Sequence, residues 1–176
     1  MSTIIAVTNQ KGGVGKTTSS INIAFYLAKA GKKTLLVDFD PQGNATSGLG
    51  IDKSELDVTV ADVVTGQRKL AEVIIPTEFK NLSVAPAMPT LANTEVEIAQ
   101  AEHRFSRLKY AIESLNTDYE YIIIDCPPSL SLLTVNALIA ARTSSKLGSA
   151  LRSSSLRWQA SKHTLRSDGR LLTTTC

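Results

Sequence analysis

Asn9-Gln10-Lys11-Gly12-Gly13-Val14-Gly15-Lys16-Thr17-Thr18 joins two segments of opposite character. Before it, Ile4 to Val7 is a short apolar run rich in β-branched residues. After it, Ile21, Ala24, Phe25 and Ala28 recur at three- and four-residue steps, the period of an amphipathic helix. A glycine-rich turn between a buried strand and a helix is the context that a phosphate-binding loop requires. Gly12, Gly13 and Gly15 are expected to allow backbone conformations closed to other residues, so that successive N–H groups converge on phosphate oxygens. The helix opening near Lys16 adds its unpaired N–H groups and the positive end of its dipole. In the pattern G-x-x-x-x-G-K-[ST], the lysine meets the β- and γ-phosphates and the following hydroxyl binds Mg²⁺. Those positions are Lys16 and Thr17. The first glycine of that pattern is replaced by Gln10, and a second lysine, Lys11, stands inside the loop.

Outward from the loop, Gly31 is placed to close the first helix. Lys33 to Val37 then forms a second apolar strand, which runs into Asp38-Phe39-Asp40-Pro41-Gln42-Gly43-Asn44. Strand, helix and strand in this order make a βαβ unit, and the expected fold class is α/β: a P-loop NTPase-like, mostly parallel sheet with helices on both faces. Further on, Thr59 to Val64 reads as a short helix closed by Gly66, and Leu82 to Ala85 as a strand. Residues 91–101 and 104–115 have helical spacing, Tyr121 to Asp125 is the strongest buried-strand signal, and 130–141 is an apolar helix.

Strand ends carry the remaining candidates. Asp125 closes a run of aromatic and apolar residues, a position from which a carboxylate reaches the C-terminal edge of the sheet and can hold Mg²⁺, often through water. A strand-ending aspartate can equally do no more than cap the turn that follows, here Cys126-Pro127-Pro128-Ser129. Asp38 and Asp40 flank Phe39, so strand alternation sends their side chains the same way. Either could position a water, or simply build an Asx-type turn before Pro41.

Together the strings Lys-Gly-Gly-Val-Gly-Lys-Thr-Thr, Val-Asp-Phe-Asp-Pro-Gln-Gly-Asn and Ile-Ile-Ile-Asp-Cys-Pro-Pro-Ser closely resemble the ParA (Soj-like) partition ATPases of the deviant Walker-A class, which also includes MinD. The resemblance covers residues 1–141. It implies ATP and Mg²⁺ as cofactors, with Lys11, Gly12, Gly13, Val14, Gly15, Lys16, Thr17 and Thr18 holding the nucleotide and Thr17 and Asp125 supporting the metal. It further implies that Asp40 orients or activates the attacking water, and that Lys11 reaches the partner subunit's phosphates across a nucleotide-sandwich homodimer. Lys11, Lys16 and Asp40 would be the catalytic set. The implied function is an ATP-dependent dimer switch in chromosome or plasmid segregation that binds DNA nonspecifically and is released by a ParB-type partner. Electrostatics supplies a reason for the second lysine: facing two nucleotide phosphates across an interface is unfavourable unless cations intervene.

Composition narrows the alternatives. A chain of 176 residues with 43% hydrophobic content suits one soluble domain. No apolar stretch approaches the roughly 18 residues of a membrane span, and no leader pattern precedes the first strand, so a cytoplasmic, nucleoid-associated protein without a membrane partner is expected. Two cysteines do not make a disulfide framework, and only Cys126 lies in the core region, which disfavours a cluster-bearing reductase. His103 and His163 lack companion residues for a metal site. Residues 1–141 carry 12 Lys+Arg and 15 Asp+Glu, a net −3, whereas 142–176 carry 7 and 1, a net +6. Thirteen of those last 35 residues are Ser or Thr, and the basic ones, like Trp158, fall on no helical face. We therefore divide the chain into an ATPase portion, 1–141, and a basic Ser/Thr-rich tail, 142–176, read as disordered or out of frame rather than as a nucleic-acid arm. Family members resume with further strands where Arg142 begins the tail. The domain is expected to be incomplete at its C-terminal side, leaving a sheet edge at the Asp125 strand and the apolar residues of helix 130–141 uncovered. Two other readings follow: a MinD-like division-site ATPase, although residues 160–176 form no basic amphipathic helix, and an inactive fragment that still binds nucleotide.

Overall fold

The computed structural model describes residues 2–116 and 118–142; most of the segment 142–176, with Trp158 and His163, lies outside them. Strands β1 (Thr3–Val7), β2 (Thr34–Asp38), β3 (Ile75–Pro76), β4 (Leu82–Ala85) and β5 (Tyr121–Asp125) form one sheet in the order β1-β5-β2-β4-β3. Four of these are mutually parallel, and the two-residue β3 runs antiparallel to β4 at the far edge. The order carries a correction. The strand ending in Asp125 is no edge: β5 lies between β1 and β2, pairing Ile4 with Ile122 on one side and Leu36 with Ile123 on the other. The outer side of β1 is the edge among the described residues.

Strand alternation divides the core in two. On one face Ile5, Val7, Leu36, Val84 and Ile123 pack beneath Ala24 and Ala28 of α1 (Lys16–Lys29) and Ala45 of α2 (Asn44–Gly48). On the other, Ile4, Ala6, Leu35, Val37, Ile122 and Ile124 pack against α3 (Val60–Thr65), α4 (Leu70–Val73), α5 (Leu91–Ala99), α6 (Arg107–Glu113) and α7 (Leu132–Arg142). Helices thus cover both faces, as the alternation of apolar runs and helical periods requires. Each buried Leu, Ile or Phe contributes about 1.5–3 kcal/mol.

Local chemistry sets the ends. At α1, Gly31 stands at φ 83° one residue past the last helical turn, where its N–H meets Ala28 O at 2.9 Å and the Lys32 N–H meets Leu27 O at 3.0 Å. This is a Schellman closure. For α3, Thr59 Oγ1 accepts from Ala61 N at 3.2 Å and Asp62 Oδ2 accepts from Thr59 N at 2.7 Å, while Gly66 at φ 86° ends it. Two helices are shorter than their periodicity suggests. His103 takes a left-handed φ of 56° and Arg104 donates from its side chain to Ala99 O at 3.0 Å, so 102–106 is a turn and α6 begins at Arg107. The apolar run at 130 opens before its helix: Leu130 is exposed, and α7 starts at Leu132. Contrary to expectation, α7 is well covered, with Leu133, Ala137 and Ala140 buried in the core.

Candidate nucleotide site

The register brings three strand ends level. Val7 and Asp38 both sit opposite Asp125, so the loop after β1, the acidic turn after β2 and the carboxylate of β5 share the C-terminal edge of the sheet. Ligands of open α/β sheets bind at this edge. The hydrogen bonds of the sheet extend past the strands: Phe39 N donates to Asp125 O at 2.9 Å, and Cys126 N to Val7 O at 3.2 Å.

Within the loop, Gly13 (φ 71°) and Gly15 (φ 83°) occupy the left-handed region and require glycine. Gly12 does not: its φ is not positive and a Cβ there would meet nothing within 4 Å, so the freedom expected of it is unnecessary in this conformation. Gly15 is the N-cap of α1 and offers no side chain to the helix, which leaves the first N–H groups open to an external anion. The two lysines separate by environment. Lys16 is buried in the first turn of α1, whereas Lys11 is exposed, its N–H held by Asn9 Oδ1 at 3.0 Å. Val14 and Thr17 are half-buried, and Thr18 is exposed.

Asp125 is fully buried. Ser20, four residues along α1 from Lys16, donates its hydroxyl to Asp125 Oδ1 at 2.7 Å. Oδ2 is buried and lacks a hydrogen-bond partner among the described residues. Burial raises the Asp125 pKa to about 6 against the opposing effect of the Ser20 and Thr17 hydroxyls, and the nearby charges of Asp38 and Asp40 push the same way as burial. The Thr17 hydroxyl is near enough to favour the ionised carboxylate, while Oδ2 keeps no hydrogen-bond partner among the described residues. A buried carboxylate oxygen lacking a donor, beside a helix-start hydroxyl and an anion-ready loop, suits Mg²⁺. This ion takes one or two protein oxygens and fills its remaining positions with waters and phosphate oxygens. No cluster of three or more His, Cys, Asp or Glu residues competes for a metal among the described residues.

Asp38 and Asp40 point away from Phe39, whose ring is fully buried in the opposite core. Their surroundings differ. Both oxygens of Asp38 have partners: Oδ2 accepts from Thr46 N and Thr46 Oγ1, both at 2.7 Å, and Oδ1 accepts from Asp40 N at 3.3 Å. Burial raises its pKa in spite of those donors. Thr46 Oγ1 in turn accepts from Ala87 N at 3.0 Å, tying the turn after β2 to the turn after β4. Asp38 is therefore a structural node, the bland one of the two readings its sequence allowed. Asp40 is almost buried, and its Oδ1 accepts from Gln42 N at 2.9 Å in an Asx turn. Gly43 is required twice over: its φ is 61°, and a Cβ would lie 2.6 Å from Ala87 O. Cys126 is buried and its thiol pushed above its ordinary range by desolvation, which makes it an inert core residue.

Neither Ser20 nor Thr46 stands out from sequence. Ser20 completes the buried line Lys16, Ser20, Ala24, Ala28, and a serine on an otherwise apolar helix stripe was its available signal.

Comparison with known proteins agrees with this geometry. The family model described as AAA domain matches residues 2–144. Over 141 residues the chain is 53% identical to the sporulation initiation inhibitor protein Soj of Bacillus subtilis, covering 80% of this chain and 56% of Soj. It is also 53% identical over 138 residues to the chromosome partitioning protein ParA of Myxococcus xanthus, covering 78% of this chain and 49% of that protein. The chain thus spans about half the length of the curated relatives it matches. A crystal structure of cobyrinic acid a,c-diamide synthase from Mycobacterium smegmatis, with bound ATP analogue and magnesium, is 40% identical and superposes with a TM-score of 0.78, covering 81% of this chain and 58% of the other. With its parallel sheet, glycine-rich loop and strand-end aspartates, the chain belongs to the AAA-domain family of P-loop proteins of the ParA and Soj type.

Proposed function

We propose that this chain is the nucleotide-binding portion of an ATP-hydrolysing DNA-partitioning protein, working as an ATP-dependent dimer switch. The observation that carries the reading is the meeting of the buried Lys16, the open N-terminus of α1 and the unsatisfied Oδ2 of Asp125 at one sheet edge. Partitioning rests on the names of the relatives and on the three motifs. The likeness to a diamide synthase covers the nucleotide-binding part, and supports ATP and Mg²⁺ without carrying that enzyme's substrate.

In this mechanism the N–H groups of 12–17 and the Lys16 ammonium bind the phosphates. Thr17 and Asp125 would hold Mg²⁺, which would supply charge neutralisation to the phosphates of a bound nucleotide. Asp40 would orient the attacking water, and Thr18 would meet the α-phosphate, as the family resemblance implies. Lys11, exposed at the mouth of the loop, is free to meet phosphates on a second copy and to compensate charge as an arginine finger does. A ParB-type protein and nonspecific DNA are the partners.

The test compares DNA-stimulated ATP hydrolysis of the purified chain with that of Lys16→Ala; equal rates would remove the enzyme assignment. Lys11→Ala should bind nucleotide with affinity within about threefold of wild type while hydrolysis and dimerisation fall by a factor of ten or more, on the scale of one lost charge interaction in a transition state. A second reading, a fragment that binds nucleotide but does not turn it over, is favoured by the outer side of β1, which is an edge among the described residues. Nucleotide binding lost in Lys16→Ala with no hydrolysis in either protein would select it.

A further inference from the structure

We propose that Ser20 is the positioning residue of the metal site: its hydroxyl locks Asp125 in the rotamer that presents Oδ2 to Mg²⁺ and ties that carboxylate to the helix turn holding Lys16 and Thr17. The inference rests on the nucleotide reading above and goes beyond it, because Ser20 belongs to none of the three motifs.

The contrast between the two neighbouring strand-end aspartates carries the argument. Asp38 and Asp125 lie side by side in the register, and both are fully buried. Three donors spread over both oxygens of Asp38, so neither oxygen is left without a partner. Among the described residues, Asp125 Oδ1 accepts from Ser20 at 2.7 Å and its other oxygen is left over. A buried carboxylate held at one oxygen and open at the other is oriented for a cation, since a free χ2 rotation would interchange the two oxygens.

Ser20 is itself held. Its Oγ lies 3.0 Å from Lys16 O in the preceding turn as well as 2.7 Å from Asp125, and one hydroxyl proton cannot serve both at full strength. The charged acceptor is the nearer and stronger one, so the proton goes to Asp125. The bond spans 105 positions of chain and links α1 directly to β5. Through it, the turn that grips phosphate and the carboxylate that serves the metal keep one spacing. A metal-supporting side chain oriented by an outer partner is a general device, and loss of such a partner typically weakens metal affinity 10- to 100-fold.

The test is a binding measurement rather than turnover. The affinity of the full chain for a fluorescent ATP analogue is measured across a Mg²⁺ titration for wild type, Ser20→Ala and Ser20→Thr, and without Mg²⁺ as a control for the fold. Ser20→Ala should keep its Mg²⁺-free affinity within about twofold and need roughly tenfold more Mg²⁺ to reach half of the enhancement. Ser20→Thr, which restores the hydroxyl, should return the midpoint toward wild type. An unchanged midpoint in Ser20→Ala overturns the proposal while leaving the nucleotide reading intact. A wild-type chain whose affinity ignores Mg²⁺ overturns both. If Ser20→Ala does not fold, Ser20→Cys keeps the shape with a weaker donor and should shift the midpoint in the same direction; no shift there also overturns the proposal.

Discussion

At the scale of single residues, buried charge without full compensation is the recurring expense of this site. Asp125 is the clearest case. Its pKa rises from 3.8 to about 6, so between those values the folded chain binds a proton that the unfolded chain has released. Stability therefore falls as pH rises through that window, and the ionised carboxylate remains unfavourable above it. Asp125→Asn should stabilise the nucleotide-free chain at pH 7 by about 2–3 kcal/mol, at 1.36 kcal/mol per pKa unit. The gain should be mostly lost by about pH 4 and should vanish only well below the unfolded value of 3.8, where wild-type Asp125 is protonated in both states. Thermal denaturation of both proteins from pH 4 to 8 checks this, and the same substitution should abolish any Mg²⁺-dependent gain in nucleotide affinity. Thr46 presents the opposite situation. Thr46→Val removes a donor to Asp38 and the acceptor of Ala87 N, and should cost about 2–4 kcal/mol in urea denaturation, since two buried groups lose partners.

Among the elements, the loop between β1 and α1 shows what the sequence pattern could and could not say. All three glycines fit the motif, yet only Gly13 and Gly15 have positive φ. Gly15→Ala should destabilise the fold by about 1–2 kcal/mol, the penalty of a left-handed residue with a Cβ, and weaken nucleotide binding. Gly12→Ala should leave stability within about 0.5 kcal/mol, as a strain-free site does, so any effect it has would appear in nucleotide affinity. Chemical denaturation paired with equilibrium binding separates the two. The βαβ reading was correct in direction and incomplete in adjacency: β1 and β2 are parallel but do not touch, because β5 enters between them from more than eighty residues downstream. Helix ends were legible where capping chemistry was explicit, as at Thr59 with Asp62 and at Gly66. They were not legible at 102–106, where a left-handed His103 and a side-chain hydrogen bond from Arg104 overrode an apolar period that continued through the turn.

The molecule as a whole is a parallel sheet closed by helices on both faces and open along β1 among the described residues. A ligand that binds only the folded state adds stability by mass action, about 2.7 kcal/mol at one hundred times its dissociation constant. Mg²⁺ and ATP together should raise the melting temperature of this chain more than either alone. Lys16→Ala should lose that increment, while Lys11→Ala retains it, because Lys16 is buried in the loop whereas Lys11 is exposed and, in the proposed function, serves a second copy. Differential scanning fluorimetry with sedimentation velocity reads both consequences on the same samples.

By itself the sequence determined the class of the fold and located the loop and the strand-end acids, because those signals are local. Periodicity marks strands and helices, glycine spacing marks the loop, and an aspartate at the end of an apolar run lies within a few residues of its context. Tertiary structure alone decided which acid is spent and which is open. Both oxygens of Asp38 have donors from Thr46 and Asp40, while Asp125 keeps one oxygen unpartnered among the described residues beside Ser20. Those donors reach the two carboxylates by different paths. Thr46 comes from α2, eight positions along the chain, whereas Ser20 comes from a helix 105 positions away, brought near when β5 inserts beside β1. Sheet order depends on long-range burial, and no local pattern encodes it.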